Sequence, residues 1–150
     1  FKISNNKDLE LAISNCINPR RQFIFEESID FKELTVPILN GKCLPAVEIK
    51  TSESFYNFNA KYVNEDTQLS KLILSKDEKN QLEEICLRTL DVMGCRGWLR
   101  VDLLQDSNNN FYVLEVNTVP GMTSHSLFPK SAQSIGLSYN DLVQEIINAK

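Results

Sequence analysis

Two strand-forming runs around a turn constrain the fold of this 150-residue chain more than any other feature. Trp98–Leu104 and Phe111–Asn117 are rich in β-branched, aromatic and long apolar residues, and the segment Asp106–Asn110 between them consists of turn formers. The pattern predicts an antiparallel hairpin. If the hairpin closes symmetrically over its turn, Asp106 pairs with Phe111, and that pairing sets the register of both strands.

This register brings four polar side chains together on one face, because side chains alternate between the two faces of a strand. Arg100 then lies opposite Asn117, and Asp102 lies opposite Glu115. Directly opposed carboxylates are roughly 5 Å apart and repel each other, and a bound cation removes that penalty. Two carboxylates and an amide oxygen are hard ligands of the kind that Mg²⁺ prefers, with water and phosphate oxygens completing its octahedron. The sequence therefore predicts a Mg–nucleotide site with an arginine beside the negative charge.

A surface hairpin with a solvated polar face is the alternative interpretation. The other positions of both runs are strongly apolar, and they are Leu99, Val101, Leu103, Leu104, Val113, Leu114 and Val116. Strands of this composition are usually covered on both sides. Carboxylates embedded in them need a partner, because burying an unpaired charge is costly. These neighbours favour a binding site over a solvated surface.

The same segment resembles a known enzyme family. The runs G-C-R-G-W-L-R-V-D at 94–102 and E-V-N-T-V-P-G-M-T-S-H-S-L at 115–127 resemble the C-terminal signature of D-alanine–D-alanine ligases, in the ATP-grasp superfamily. Upstream, F-I-F-E-E-S-I-D-F-K-E-L-T-V-P-I-L-N-G at 23–41 resembles the nucleotide hinge and the strand after it. F-Y-N-F-N-A-K-Y at 55–62 resembles the start of the family's mobile active-site loop. The resemblance covers essentially the whole chain and implies an ATP-grasp C-terminal subdomain.

The chemistry implied by this resemblance is ATP-dependent carboxylate activation for peptidoglycan precursor synthesis. In the family, ATP phosphorylates the carboxylate of one D-alanine, and the amine of a second D-alanine attacks the acyl phosphate through a tetrahedral intermediate. The implied ligands of two Mg²⁺ ions, with Mn²⁺ as a possible substitute, are Asp102, Glu115 and Asn117. Arg100 is implied to contact the transferring phosphoryl group and the oxyanion, a task that suits a permanently charged planar group.

Three residues of the following loop have implied roles at the second substrate. The backbone amide of Gly121 is implied to face the oxyanion, and Ser126 and Leu127 are implied to hold the carboxylate of the second D-alanine. Taken alone, Gly121 equally fits a turn glycine after Pro120. Ser126 equally fits a helix N-cap ahead of Leu127, and it can serve both purposes. The only histidine, His125, is interpreted as a loop residue near substrate.

Residues at the nucleotide are also implied by the resemblance. Glu26 matches the acid that faces the adenine amino group, backbone groups of Ser28 and Ile29 would pair with the ring, and Glu33 matches the ribose-binding acid. The other implied nucleotide contacts are Lys61 and Tyr62 in the mobile loop and Leu114 in the second strand of the hairpin. Ser28 replaces a common aromatic, and the Cys-Pro-Ala that relatives often carry near 71–73 is not present.

Length and composition describe one domain of an ordinary globular protein. Hydrophobic residues make up 42% of the chain and charged residues 24%, and the net charge of −4 provides no basic surface for nucleic acid. No run approaches the roughly 20 apolar residues that span a bilayer. The four cysteines are widely spaced, which predicts reduced core thiols in a cytoplasmic protein. D-alanine and ATP are the expected partners, with a homodimer for the full-length enzyme.

A pass along the chain predicts an α+β architecture, an antiparallel sheet with packed helices. Asn6 is expected to cap a helix with Leu9, Ala12, Ile13 and Cys16 on one stripe, and Gln22–Glu26 is expected to be a strand. Asn40-Gly41 predicts a hairpin between Glu33–Leu39 and Lys42–Ile49, with Pro37 and Pro45 at edges or bulges. The S-x-x-E at Ser75 opens a helix to about Gly94 with an inward stripe of Leu82, Ile85, Leu90 and Met93. Ser138 opens a last helix with Leu142, Val143, Ile146 and Ile147 inward.

The expected domain layout is the C-terminal portion of an ATP-grasp domain over residues 1–150. It comprises a hinge near 24–33, a mobile loop at about 50–74 and a metal and substrate segment at 98–129. The resemblance implies enzymes of roughly twice this length, whose first half supplies a substrate domain and a phosphate-gripping loop, so both are expected to be absent here. The five glycines accordingly form no phosphate-cradling cluster. Two alternatives stay open: another ATP-grasp carboxylate–amine ligase, such as a D-alanine–D-lactate ligase, and a non-catalytic Mg–nucleotide-binding module.

Overall fold

The computed structural model describes residues 2–15, 24–29, 32–50 and 68–149 of the chain. The helices are α1 (Asn6–Ser14), α2 (Lys76–Met93), α3 (Leu127–Ser134) and α4 (Tyr139–Ile147). The strands are β1 (Lys32–Leu39), β2 (Lys42–Cys43), β3 (Val47–Lys50), β4 (Gln68–Lys71), β5 (Trp98–Gln105) and β6 (Phe111–Asn117). Within these ranges the strands form one antiparallel sheet of order β4-β3-β1-β5-β6, with β2 also paired to β1. The predicted α+β architecture is confirmed.

The two faces of the sheet are covered by different helices, because successive side chains of a strand point to opposite faces. On the first face, Val36, Val101 and Leu103 pack in one buried cluster with Leu82 and Leu90 of α2. On the second face, Leu39 packs with residues of α3 and α4, which are Phe128, Ala132 and Leu142. Burying a Leu or Phe side chain contributes about 1.5–3 kcal/mol. Tertiary packing therefore holds these short helices more than helix propensity does.

The Asn40-Gly41 turn confirms the predicted hairpin. Both residues have positive φ, 50° and 72°, and Leu39 pairs with Lys42 across the two-residue turn. The continuous strand predicted after the turn is wrong, because it is interrupted between β2 and β3. Pro37 lies in the central strand rather than at an edge, and its carbonyl accepts a hydrogen bond from Leu44 N at 2.8 Å in this interruption. The β2–β3 side of β1 therefore has no regular ladder at Pro37. Proline, which has no backbone N–H to donate to a ladder, is tolerated at such a position.

Helix α2 has the predicted capping box, since Ser75 N donates to Glu78 Oε2 at 2.8 Å and Glu78 N donates to Ser75 Oγ at 3.3 Å. Its end at Gly94, with φ 62°, is also confirmed. The inward position of Met93 is wrong, because Met93 is 60% exposed. The buried row follows four-residue spacing from Leu82 through Cys86 to Leu90, so the next position in that row is the terminating glycine.

Three other predictions of helix and strand positions need correction. The side chain that caps α1 is Asn5 rather than Asn6, accepting from Lys7 N at 2.9 Å, and Ile13 is exposed. In α4, Ile147 is exposed, because the row that begins at buried Leu142 continues to Ile146. Residues 24–26 form no strand, because they make no ladder hydrogen bonds with the described sheet; 22 and 23 are outside the described residues.

The segment predicted as a mobile loop overlaps two strands at its described ends. Both of its ends are strands, since Lys50 of β3 pairs with Gln68 of β4 and Val47 pairs with Lys71. This pairing could not be seen in the polar sequence, because an outer strand gains its ladder bonds from a neighbour rather than from its own pattern. The intervening residues 51–67, which include Lys61 and Tyr62, lie outside the described part of the chain.

Among the described residues, Cys43, Cys86 and Cys95 are free thiols, as predicted, and Cys16 is outside that range. The Cys86 thiol hydrogen-bonds to the sulfur of Cys43 and lowers the pKa of Cys43. The same bond, together with burial, raises the pKa of Cys86. No helix in the described ranges is long and apolar enough to cross a membrane.

Candidate metal and nucleotide site

The predicted register between β5 and β6 is confirmed at the candidate site. Arg100 pairs with Asn117, and Asp102 pairs with Glu115. The predicted closure over the turn is wrong, however, because Phe111 pairs with Gln105 instead of Asp106.

Two features of the hairpin explain how both observations hold. Asp106 belongs to the turn itself, where its Oδ1 accepts backbone hydrogen bonds from Asn108 at 2.8 Å and Asn110 at 2.9 Å. The strands therefore begin to pair one residue earlier. A β-bulge between Asp102 and Leu103, with Leu114 as the extra residue of β6, then restores the predicted pairs.

The Asp102 carboxylate is the centre of the site. It is 1% exposed and accepts two parallel hydrogen bonds from Arg100, Nε to Oδ1 at 2.8 Å and Nη2 to Oδ2 at 2.8 Å. Thr35 Oγ1 donates to Oδ1 at 2.7 Å, and Asn117 Nδ2 donates to Oδ2 at 2.9 Å. Each carboxylate oxygen thus has two donors, one of them from a positive charge. A buried carboxylate with this many donors is stable without a metal ion.

The repulsion expected between Asp102 and Glu115 is therefore reduced by groups of the chain itself, before any cation binds. Arg100, whose side chain is 14% exposed, already neutralises Asp102. Glu115 is exposed to solvent. Asn117 also links the two carboxylates, because its Nδ2 lies 2.9 Å from Asp102 Oδ2 and 3.3 Å from Glu115 Oε1. Screening of the exposed glutamate by water weakens any remaining repulsion.

The same geometry fits a hard cation. One donor atom of Asn117 reaches an oxygen of each carboxylate, so the two carboxylates converge on a shared point. A 180° turn of the amide would present its oxygen instead of its nitrogen. Among the described residues no group of three His, Cys, Asp or Glu could hold a metal. A set of two carboxylates and an amide suits Mg²⁺, which is commonly bound by one or two carboxylates together with water and substrate phosphates.

The loop between β6 and α3 is held by its own side chains. Ser126 is the N-cap residue of α3, as the N-cap interpretation predicted, but its side chain makes no capping hydrogen bond. Its Oγ instead accepts from Thr123 N at 3.0 Å and lies 2.9 Å from Thr123 Oγ1. A Cβ at Gly121 would lie 2.8 Å from Ser126 Oγ, so a larger residue at this position would displace the Ser126 hydroxyl.

Two further contacts position that loop. The hydroxyl of Tyr139, in α4, donates to the Met122 carbonyl at 2.9 Å. The Leu127 side chain is buried with Val47 and Ile49 of β3. Leu127 can therefore reach a substrate only through its backbone, which begins α3.

The described candidate nucleotide residues lie in three parts of the chain: the segment before β1, the central strand β1, and β6. Glu26 and Ser28 are exposed, Ile29 is half-buried, and none of the three lies in a helix or strand. Glu33 lies half-buried in β1. Leu114 is exposed at the bulge of β6, next to the exposed Val113. The prediction that both strands of the hairpin are covered on both faces is thus confirmed for β5. It is wrong for β6, which is the last strand of the described sheet and has mostly exposed side chains.

One residue of the segment before β1, Glu27, lies near the β6 edge. The Asp106 carboxylate, which accepts a hydrogen bond from the Tyr112 hydroxyl, raises the pKa of Tyr112, and the charge of nearby Glu27 adds to the shift. Glu27 therefore lies close enough to β6 to act on Tyr112. The exposed side chains of Val113 and Leu114 form an apolar surface on which a planar ring could lie.

The sequence interpretation missed Thr35 and Thr123. Thr35 is a hydroxyl residue in the apolar run L-T-V-P-I-L, and only the pairing of β1 with β5 places it on Asp102. Thr123 could have been identified locally, since it stands three residues before Ser126.

Comparison with known proteins agrees with this geometry. The family model described as D-ala D-ala ligase C-terminus matches residues 1–148. The chain belongs to this family. A D-alanine–D-alanine ligase of Haemophilus ducreyi is 40% identical over 147 residues, which are 98% of this chain and 48% of that protein. One of Saccharophagus degradans is 42% identical over 146 residues, which are 97% of this chain and 46% of that protein.

Solved structures of this enzyme class share the fold. A Bacillus anthracis D-alanine–D-alanine ligase complexed with ATP has a TM-score of 0.70 and 32% identity, over 82% of this chain and 39% of that one. A D-Ala:D-Ser ligase from Enterococcus faecalis has a TM-score of 0.68 and 26% identity, over 81% of this chain and 37% of that one. The expected ATP-grasp C-terminal subdomain is confirmed. The chain spans about half the length of the curated relatives that it matches.

Proposed function

We propose that this chain is the C-terminal portion of an ATP-dependent D-alanine–D-alanine ligase that serves peptidoglycan precursor synthesis. The observation that carries the proposal is the convergence of Asp102, Glu115 and Asn117 on one point beside Arg100. The substrate-binding domain and the phosphate-gripping loop would come from residues outside this chain. ATP is the nucleotide proposed, as in the Bacillus anthracis relative.

The metal-binding proposal follows from the donor set. Asp102, Glu115 and Asn117 would hold two Mg²⁺ ions, for which Mn²⁺ could substitute, and bound metal would neutralise charge on the ATP phosphates. Asn117 would exchange its nitrogen for its oxygen toward the cation. Asp102 would keep its contacts to Arg100 and Thr35 on Oδ1, so that Oδ2 faces the ligand.

Arg100 is proposed to stabilise charge on the transferring phosphoryl group and the oxyanion. Its Nε and Nη2 are held by Asp102, which fixes the plane of the guanidinium, and Nη1 lies on the opposite edge of that plane. A guanidinium that is already oriented loses little conformational freedom when charge develops beside it. Gly121 would contribute its backbone amide to the same oxyanion.

Ser126 and Leu127 are proposed to hold the carboxylate of the second D-alanine. Ser126 Oγ accepts a hydrogen bond from Thr123 N, so its own proton can be donated to a carboxylate. The backbone N–H of Leu127 begins a helix, where N–H groups have no partner within the helix and favour anions.

Nucleotide binding is proposed along the open edge of β6. Glu26, Ser28 and Ile29 would contact the adenine, Glu33 the ribose, and Leu114 the face of the ring. Lys61 and Tyr62 would close over the phosphates. A cytoplasmic location and a homodimer stay predictions.

The test uses the complete polypeptide with Mg–ATP and D-alanine, measuring phosphate and D-alanyl-D-alanine. Glu115→Gln should abolish turnover, because it keeps the shape of the ligand but removes its charge. Asp106→Asn makes an equivalent change at the turn of the same hairpin and should retain activity. A Glu115→Gln enzyme with most of its activity would refute the assignment.

Second substrates and binding assays separate the alternatives. One structural neighbour is named as a D-Ala:D-Ser ligase, so D-serine and D-lactate should be compared with D-alanine as the attacking substrate. Preference for D-lactate would identify the alternative ligase. Mg–ATP binding without phosphate release would instead identify a non-catalytic module.

A further inference from the structure

Among the residues that the structure describes, Thr35 is the one partner of Asp102 that lies outside the β5–β6 hairpin. It stands in the central strand β1, directly across from Asp102 in the register of β1 and β5. Its hydroxyl donates to Asp102 Oδ1 at 2.7 Å, the shortest of the four hydrogen bonds to this carboxylate. Thr35 itself is completely buried.

The other two residues that donate to Asp102 also have proposed contacts with ligands. In the proposed function Arg100 acts on the phosphoryl group, and Asn117 turns its amide to present oxygen to a cation. Thr35 has no proposed contact with a ligand. A β-branched side chain also has few accessible χ1 rotamers, so its hydroxyl direction is set by the strand backbone. Thr35 can therefore hold Asp102 in the same orientation with and without ligand.

Water cannot replace this hydroxyl. On the other side of Thr35 the sheet continues to Val47, its direct partner in β3, and Val47 is buried with Ile49 and Leu127. Thr35 is 0% exposed and Asp102 is 1% exposed. A side chain without the hydroxyl would leave Asp102 Oδ1 with a single hydrogen bond among the described residues, from Arg100 Nε, so the position of this oxygen would be held less firmly.

We propose that Thr35 is a positioning residue that holds Oδ1 of Asp102 so that Oδ2 is presented to the metal ion. The proposal rests on the proposed function, because that function places Mg²⁺ between Asp102, Glu115 and Asn117. Thr35 touches neither metal nor substrate. Its effect should therefore be seen first in Mg²⁺ affinity.

The experiment compares Thr35→Val, which preserves shape but removes the hydroxyl, with Thr35→Ser, which keeps the hydroxyl. Thr89→Val is the matched control, because Thr89 Oγ1 also makes a 2.7 Å hydrogen bond, to the Ile85 carbonyl of α2, on the opposite face of the sheet. All variants are made in the complete polypeptide. Mg²⁺ dependence is measured twice, as the rise in Tm with a non-hydrolysable ATP analogue and as the half-saturating Mg²⁺ concentration in turnover.

Thr35→Val should raise the half-saturating Mg²⁺ concentration about tenfold or more in both measurements, as is typical when an outer-shell partner of a metal ligand is removed. Thr35→Ser should restore most of the affinity, and Thr89→Val should match the wild type. If Thr35→Val does not fold, Thr35→Cys keeps the volume with only a weak donor and should show the same rise.

Two results would overturn the inference in distinguishable ways. A folded Thr35→Val or Thr35→Cys protein with the wild-type Mg²⁺ dependence would overturn the role of Thr35 alone. A wild-type protein without any Mg²⁺-dependent stabilisation or turnover would overturn the proposed function and the role of Thr35 together.

Discussion

Replacing Asp102 by asparagine should destabilise the protein more than any other single change at the site. The substitution removes the negative charge from a carboxylate that is 1% exposed, and the largely buried Arg100 guanidinium loses the charge of its bidentate partner. It also turns an amide N–H₂ toward groups that are themselves donors, because all four contacts of Asp102 are donated to it. The variant therefore leaves at least one buried donor unsatisfied.

The size of this effect follows from the burial of the pair. Removing one partner of a buried ion pair costs about 3–5 kcal/mol. One kcal/mol shifts the Tm of a domain of this size by about 2–4 °C, so the expected loss is about 6–20 °C. Glu115→Gln should change the Tm little, because Glu115 is exposed and its amide replacement can still accept from Asn117. The two candidate metal ligands should therefore differ in role. Asp102 should contribute to both stability and ligand binding, whereas Glu115 should contribute to ligand binding alone.

The assay is thermal unfolding of the complete polypeptide without Mg²⁺ or nucleotide, followed by the same scan with both. Asp106→Asn is the control, since Asp106 also accepts several hydrogen bonds in this hairpin but has no arginine partner. An Asp102→Asn protein that unfolds within about 2 °C of the wild type would refute the reasoning from burial. An equal loss in Glu115→Gln would refute the separation of the two roles.

Three further predictions follow from particular contacts. Gly121→Ala should reduce ligase turnover while leaving the protein folded, since the new Cβ would lie 2.8 Å from Ser126 Oγ and displace this hydroxyl. Steady-state kinetics together with circular dichroism would check this prediction, and full activity would contradict it. The hydrogen bonds from Ser75, the N-cap residue of α2, lower the pKa of Glu78, so the stability that they contribute is present at neutral pH and should be lost as the pH falls below about 4. Glu78→Gln should flatten this part of a Tm–pH curve, and an unchanged curve would count against the prediction. Cys43 should be alkylated by iodoacetamide faster than Cys86, because its pKa is lowered and it is less buried; peptide mass spectrometry after partial alkylation decides the order.

Local sequence determined the elements whose geometry depends on a few neighbouring residues. The Asn40-Gly41 turn needs two positive φ angles that asparagine and glycine adopt at low cost, and the start of α2 needs only Ser75 and Glu78. The signature from Glu115 to Leu127 likewise identified the family, because the residues that would act on phosphates and substrate are close together in the chain.

Other features depended on contacts between distant parts of the chain, and these the sequence could not show. The exposure of Met93 and Ile147 follows from where each helix meets the sheet, which their apolar character does not encode. The strand β4 was hidden in a polar segment, because a strand at the margin of the described sheet is made by its neighbour.

The candidate site also combines features that the sequence predicted with features that only the tertiary structure revealed. The hairpin supplied Arg100, Asp102, Glu115 and Asn117 from sequence alone, although the register was right only because the bulge at Leu114 offset a closure that was wrong. Tertiary structure decided that Arg100 neutralises Asp102 and that Thr35, 67 residues away in sequence, orients it. Burial is the physical reason. Once packing removes water from a carboxylate, the donors around it must come from whichever strands the fold places there.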